Sequence, residues 1–134
     1  ITSQWNGMIT ENMRKGAVET LLDCGVLPEN IFQWSVPGAF ELVNGAKRML
    51  ERKVDAIIVI GCVIQGETRH FDFVCQGVTQ GIAQLNAEQS KVPIIFCVLT
   101  DNTFQQSLDR SGGKLGNKGV EAAITAIKMA VLGK

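Results

Sequence analysis

An α/β fold, a parallel sheet held between layers of helices, is predicted by three observations. Long apolar runs within 54–64 and 92–100 suit strands covered on both faces. Segments with apolar residues at three- and four-residue spacing separate and follow them. The two kinds of segment alternate as β-α-β-α-β-α-β-α-α, an order that closes through right-handed crossovers into one parallel sheet.

ITSQWNG reads as the end of a strand running into a turn at Asn6-Gly7. Thr10 is the expected cap of a helix through ENMRKGAVETLLDCG, with Met13, Ala17, Leu21 and Cys24 on one face and Gly25 as the stop. After a turn at Pro28-Glu29-Asn30, IFQWSV alternates and is rich in β-formers, so a half-buried strand is expected, broken by Pro37-Gly38. AFELVNGAKRMLERK follows as a helix, its stripe Phe40, Val43, Ala46 and Leu50, flanked by Leu42 and Met49. VDAIIVIGCVI is the expected central strand. FDFVCQGVTQGIAQLNAEQ repeats Phe71, Val74, Cys75, Val78, Ile82 and Leu85 at helical spacing, and VPIIFCVLT is a further buried strand. Asp101 or Asn102 is expected to cap a short helix through Arg110, SGGKLGNKG interrupts, and VEAAITAIKMAVL is the last helix. With no repeat or linker, residues 1–134 are expected to form a single domain. The chain begins at Ile1 inside a predicted strand and without methionine, so further N-terminal residues are expected before it.

Thirteen Lys+Arg balance thirteen Asp+Glu, a composition that argues against a nucleic-acid or membrane-surface binder and is compatible with self-assembly. Cys24, Cys62, Cys75 and Cys97 form no CxxC pair and there is one histidine, so a zinc site is not expected. Reduced, buried thiols in a cytoplasmic protein fit better than a disulfide framework. No apolar stretch reaches membrane-spanning length.

Sites in such sheets lie beyond the carboxyl ends of the strands. That rule selects Trp5-Asn6-Gly7, Val36 to Glu41, Cys62 to His70 and Leu99 to Asn102. GxxxxGK[ST], GxGxxG and GxSxG are absent, which disfavours a P-loop enzyme, a dinucleotide-binding dehydrogenase and an α/β-hydrolase. Trp5 offers a flat face for a planar ring, although packing alone also explains it. Glu41 either complements a helix N-terminus or accepts substrate hydroxyls. The N–H groups near Glu67 and Thr68, with the Thr68 hydroxyl, suit an anion at a helix start, as a plain connecting loop would also look. Arg110 and Lys114 balance a phosphate or answer a helix dipole. His70 suits proton transfer, since imidazole ordinarily titrates at ~6.5, but a lone surface histidine is more often incidental. Spacing alone stops at a ligand-binding α/β domain.

Five segments in order carry the chain further. WNGMIT, VPGAFEL, GCVIQGETRHFDFV, VPIIFCVLT and RSGGKLGNKGVEAA resemble the successive signatures of the lumazine synthase family, from about Gln4 to Leu132. The resemblance implies a three-layer αβα sandwich of flavodoxin-like type with a four-stranded parallel sheet. It also implies a transferase of riboflavin biosynthesis that condenses 5-amino-6-ribitylaminouracil with 3,4-dihydroxy-2-butanone 4-phosphate and needs neither cofactor nor metal. By this resemblance Trp5 stacks on the pyrimidine with Asn6 nearby, Ala39, Phe40 and Glu41 follow the ribityl chain, and backbone groups of Val63 and Ile64 read the uracil edge. Glu67 and Thr68 N–H groups and Arg110 hold the phosphate, and His70 is the general acid/base. Phe96, Arg110 and Lys118 come from the neighbouring subunit of a homopentamer. The uninterrupted RSGGKLGNKG connection resembles members that pack pentamers into a sixty-subunit shell. Gln65, Glu67, Cys97 and Val43 depart from the usual residues, and the Glu67 carboxylate must point away from the phosphate, with Arg69 available to offset it. Two other readings keep the fold: a flavin- or lumazine-binding protein without turnover, and a riboflavin synthase of archaeal type.

Overall fold

The computed structural model describes residues 1–89 and 91–134. Among the described residues, β1 (Thr2–Ser3), β2 (Ser35–Val36), β3 (Ile57–Ile64) and β4 (Ile94–Asp101) pair in the order β2-β1-β3-β4, all parallel. The helices are α1 (Gly7–Asp23), α2 (Leu42–Met49), α3 (His70–Glu88), α4 (Phe104–Arg110) and α5 (Lys118–Ala130), with a small antiparallel hairpin, β5 (Ser111–Gly113) and β6 (Gly116–Asn117), before α5. This is the expected α/β sandwich, and its strand order is that of a flavodoxin-like doubly wound sheet.

Side chains of a strand point alternately to opposite faces, and β3 and β4 use both. Ile57, Val59, Ile94 and Val98 join Leu42, Ala46 and Met49 of α2 and Val78, Ile82 and Leu85 of α3 in one core. Ile60, Cys62, Ile95, Cys97 and Leu99 join Ile9, Met13 and Ala17 of α1 and Ala122, Ala123 and Ala126 of α5 in the other. Residues 57 to 64 pair in continuous register with 94 to 101, so Ile64 stands beside Asp101 where both strands end.

The chain forms several elements differently from expectation. Helix α1 starts at Gly7, after Asn6 in the left-handed conformation (φ 56°, ψ 47°) that asparagine tolerates; Asn6 holds the cap position without a side-chain capping hydrogen bond among the described residues. Thr10 lies inside the helix, its hydroxyl donating to Ser3 O at 2.8 Å. The stop at Gly25 is as expected, since its φ of 89° turns the chain while Gly25 and Val26 N–H groups bond Leu22 O and Leu21 O. Cys24 is exposed rather than on the buried face. Only Ser35 and Val36 of IFQWSV form a strand, paired in parallel with Thr2 and Ser3 of β1. Helix α2 is shorter than expected, and its buried line is Leu42, Gly45, Ala46 and Met49; Phe40 precedes it and is exposed. Thr103, not Asp101 or Asn102, caps α4, and Asp101 is the last residue of β4.

Candidate active site

β1 and β2 run to their carboxyl ends side by side, and the chain then leaves them under tight control. Gln4 N–H bonds Val36 O at 2.8 Å and Trp5 N–H bonds Pro37 O at 3.1 Å. Asn6 Nδ2 donates to Cys62 O at 3.0 Å, tying the start of α1 to the end of β3. With main chain fixed on both sides, the Trp5 indole projects into solvent, 73% exposed. Ala39 is buried, Phe40 is 59% exposed, and a Cβ at Gly77 would come within 2.8 Å of the Phe40 ring, so Phe40 lies across α3. Glu41 occupies the cap position of α2 without a side-chain capping hydrogen bond among the described residues. Its Oε2 folds back to 3.0 Å from where a Gly38 Cβ would be. Glu41 therefore stands at the helix N-terminus, where its charge suits the dipole, with its carboxylate making no capping bond among the described residues.

Beyond β3 the chain is exposed from Gln65 to His70. Gln65 N–H bonds Asp101 O at 3.0 Å, which fixes the loop where it begins. Thr68 Oγ1 accepts from His70 N–H at 3.3 Å at the first turn of α3. Among the described residues the N–H groups of Glu67 and Thr68 take no acceptor, which leaves them free for an anion beside a helix N-terminus. Arg69 lies over the Phe73 ring at 5.5 Å and forms no ion pair with Glu67 among the described residues, so its expected offset of that charge is not seen.

A cleft of about 600 Å³ opens between these segments, outside the carboxyl ends of β1, β2 and β3. Trp5, Ala39, Phe40, Glu41, Val63, Ile64, Thr68 and His70 all line it. The lining therefore combines aromatic faces, a carboxylate, an imidazole and strand-end backbone, the mixture that suits a planar polar ring with a hydroxylated tail. A larger groove of about 800 Å³, at the opposite end of the sheet, is lined mainly by aliphatic side chains. Chemistry rather than size selects the first.

Five expected residues do not line this cleft. Asn6 spends its amide on β3, and Glu67 stands on the exposed loop. Phe96 is half-buried in the middle of β4 against the α2–α3 core. Lys118 begins α5 and faces Glu121 at 3.7 Å. Arg110 ends α4, its Nη1 2.9 Å from Asp101 Oδ1. Lys114, the other basic candidate, pairs with Asp109 at 3.5 Å.

Sequence reasoning gave no role to Phe73, which had left a signal, or to Cys62, which lies within a segment it had selected. Phe73, 61% exposed, falls outside the apolar stripe of α3, which an aromatic at a packed helix position would not do. Cys62, buried, lines the cleft and donates from Sγ to Ser107 Oγ at 3.4 Å; burial pushes its thiol pKa up, so it stays a donor. Among the described residues no group of His, Cys, Asp and Glu is placed to hold a metal ion, and no helix is long and apolar enough to cross a membrane.

Comparison with known proteins gives one consistent result. The family described as 6,7-dimethyl-8-ribityllumazine synthase matches residues 1–134. The protein of that name from Flavobacterium johnsoniae is 64% identical over 133 residues, covering 98% of this chain and 70% of its own. That from Flavobacterium psychrophilum is 62% identical with the same coverage, and that from Bacteroides fragilis 57% identical over 96% of this chain and 90% of its own.

Proposed function

The chain belongs to the 6,7-dimethyl-8-ribityllumazine synthase family, and we propose that the cleft at the carboxyl end of its sheet is where it makes that product. The enzyme is a transferase of riboflavin biosynthesis. It joins 5-amino-6-ribitylaminouracil to 3,4-dihydroxy-2-butanone 4-phosphate with release of phosphate and water. The observation that carries the site is the meeting of Trp5, Glu41, Thr68 and His70, from three separate strand ends, around one cleft.

Trp5 stacks on the pyrimidine, with Asn6 holding the strand ends that carry it, and the backbone of Val63 and Ile64 reads the uracil edge. Ala39, Phe40 and Glu41 follow the ribityl chain, the carboxylate accepting from its hydroxyls. The four-carbon substrate places its phosphate on the N–H groups of Glu67 and Thr68. Amine attack on the ketone, elimination of phosphate and ring closure each move a proton, and His70 carries them. A positioned imidazole typically supplies ~10²–10⁴-fold, and holding two substrates together supplies a further ~7–11 kcal/mol in favourable cases.

Arg110, Lys118 and Phe96 complete the site of an adjoining subunit in a homopentamer, where a guanidinium offers fixed donors to the leaving phosphate. Their positions outside the cleft of their own chain support that reading. Assembly of pentamers into a sixty-subunit shell and action in the cytoplasm belong to the same proposal. The testing experiment follows lumazine absorbance from the two substrates at neutral pH. Turnover far above the spontaneous reaction, with Arg110→Ala raising the KM of the phosphorylated substrate selectively, is expected. An unchanged KM would remove Arg110 from the anion site.

A further inference from the structure

We propose that Asp101 is a positioning residue that presents Arg110 to the substrate phosphate, an inference that rests on Arg110 being the phosphate ligand. Asp101 ends β4 with its side chain 6% exposed, and both carboxylate oxygens are occupied. Oδ1 accepts from Arg110 Nη1 at 2.9 Å and Oδ2 accepts from the Ser107 hydroxyl at 2.8 Å. Ser107, fully buried, in turn accepts from the Cys62 thiol, so the carboxylate is anchored through α4 to the floor of the cleft. The Asp101 carbonyl also accepts from Gln65 N–H, where the loop of Glu67 and Thr68 begins. One residue thus fixes with its side chain an arginine that serves an adjoining subunit's site, and with its main chain the loop that serves its own.

The arrangement is poorly suited to stability alone. A carboxylate withdrawn from water pays desolvation, and its partner here is 42% exposed on the side chain, where the attraction is screened. Orientation is the gain that the geometry offers. The Asp101 bond uses Nη1 alone, and among the described residues Nε and Nη2, the pair that grips a phosphate two-pronged, make no hydrogen bond.

Steady-state kinetics with the four-carbon phosphate varied and the pyrimidine saturating test this, with inorganic phosphate inhibition as a second readout. Asp101→Asn keeps the side-chain shape and is expected to raise the KM for that substrate, and weaken phosphate inhibition, about 10-fold, the scale of one charge-assisted hydrogen bond. The KM for the pyrimidine stays within about twofold. In an Arg110→Ala background the same change adds nothing, because Asp101 acts only through Arg110. Wild-type values in Asp101→Asn beside an impaired Arg110→Ala enzyme overturn this proposal alone. The same increment in both backgrounds also overturns it, whereas a wild-type KM in Arg110→Ala removes the reading beneath it. Should Asp101→Asn fail to fold, Ser107→Ala is read by the same criteria. It is expected to shift both values about threefold in the same direction, and unchanged values overturn the proposal.

Discussion

His70 stands at the first position of α3 with its main chain held by Thr68, exposed and beside the cleft, the placement a proton carrier needs. His70→Asn keeps the size and removes the titration. It is expected to lower kcat roughly 10²-fold or more while the KM for either substrate changes little; steady-state rates settle it, and an unchanged kcat takes His70 out of the mechanism. Thiols give a second residue-scale prediction. Burial raises Cys97 from an ordinary 9.0 to about 12, with Lys118 opposing in part. Between those values the unfolded chain ionises the thiol while the folded chain keeps it protonated, so the unfolded state binds fewer protons. The contribution of this thiol is therefore full below about pH 9 and is lost as pH rises towards 12. Urea unfolding is expected to lose about 2 kcal/mol from this source between about pH 8 and about pH 10.5, and Cys97→Ala should flatten that slope. At this scale the sequence told residue type better than residue duty. Glu41 sits at a helix N-terminus and lines the cleft, a placement compatible with either of its expected roles, and Asp101 looked like a cap until it proved to hold Arg110.

Helix α4 shows how an element can be read correctly and its cause misassigned. Its cap is Thr103, whose Oγ1 accepts from Gln106 N–H at 3.2 Å while Gln106 Oε1 accepts from Asn102 and Thr103 N–H groups. The T-x-x-Q pattern was present in the sequence, but the cap was expected at Asp101 or Asn102. Because α4 carries both Ser107 and Arg110, Thr103→Ala is expected to cost about 1 kcal/mol in denaturant unfolding. The packing of α2 on α3 rests on a different feature. Gly77 and Gly81, one helical turn apart, form a shallow trough that Phe40 and Val43 enter, and a Cβ at Gly81 would lie 2.6 Å from Val43 Cγ2. Gly81→Ala is expected to destabilise by about 1–3 kcal/mol, and Val43→Ala in the same chain to recover part of it. A double-mutant cycle reads the coupling directly; strictly additive costs contradict the contact. The long strands and helices were legible because their periods of two and 3.6 dominate the sequence. The β5–β6 hairpin was not, since SGGKLGN has four glycine or small positions and no alternation, and its turn depends on φ values of 111° at Gly112 and 87° at Gly116.

On the scale of the whole molecule, one chain supplies an aromatic face, a carboxylate, an imidazole and free amides to the cleft, but its arginine and lysine point elsewhere. A phosphate leaving group without a cation would be held by backbone dipoles alone, and the proposed homopentamer would supply Arg110 from a second copy. The exposed Trp5, Phe40 and Phe73 around the cleft give that copy an apolar rim to cover. None of this was legible in the element pattern of one chain, because period and spacing describe how a chain packs on itself. Only the family resemblance placed Phe96, Arg110 and Lys118 in another subunit. Mixing distinguishes the arrangements. His70→Asn and Arg110→Ala chains, each slow alone at a concentration of the phosphorylated substrate well below the KM of the Arg110→Ala enzyme, are unfolded together, refolded and assayed at that concentration. If His70 and Arg110 of one site come from different subunits, about a quarter of the interfaces pair an intact His70 with an intact Arg110, and activity returns in that proportion. If both residues act within one chain, every site carries one lesion and the mixture stays as inactive as its parts. Light-scattering mass of the same samples shows whether assembly has occurred, so an inactive mixture of intact pentamers would exclude the shared site rather than report failed refolding.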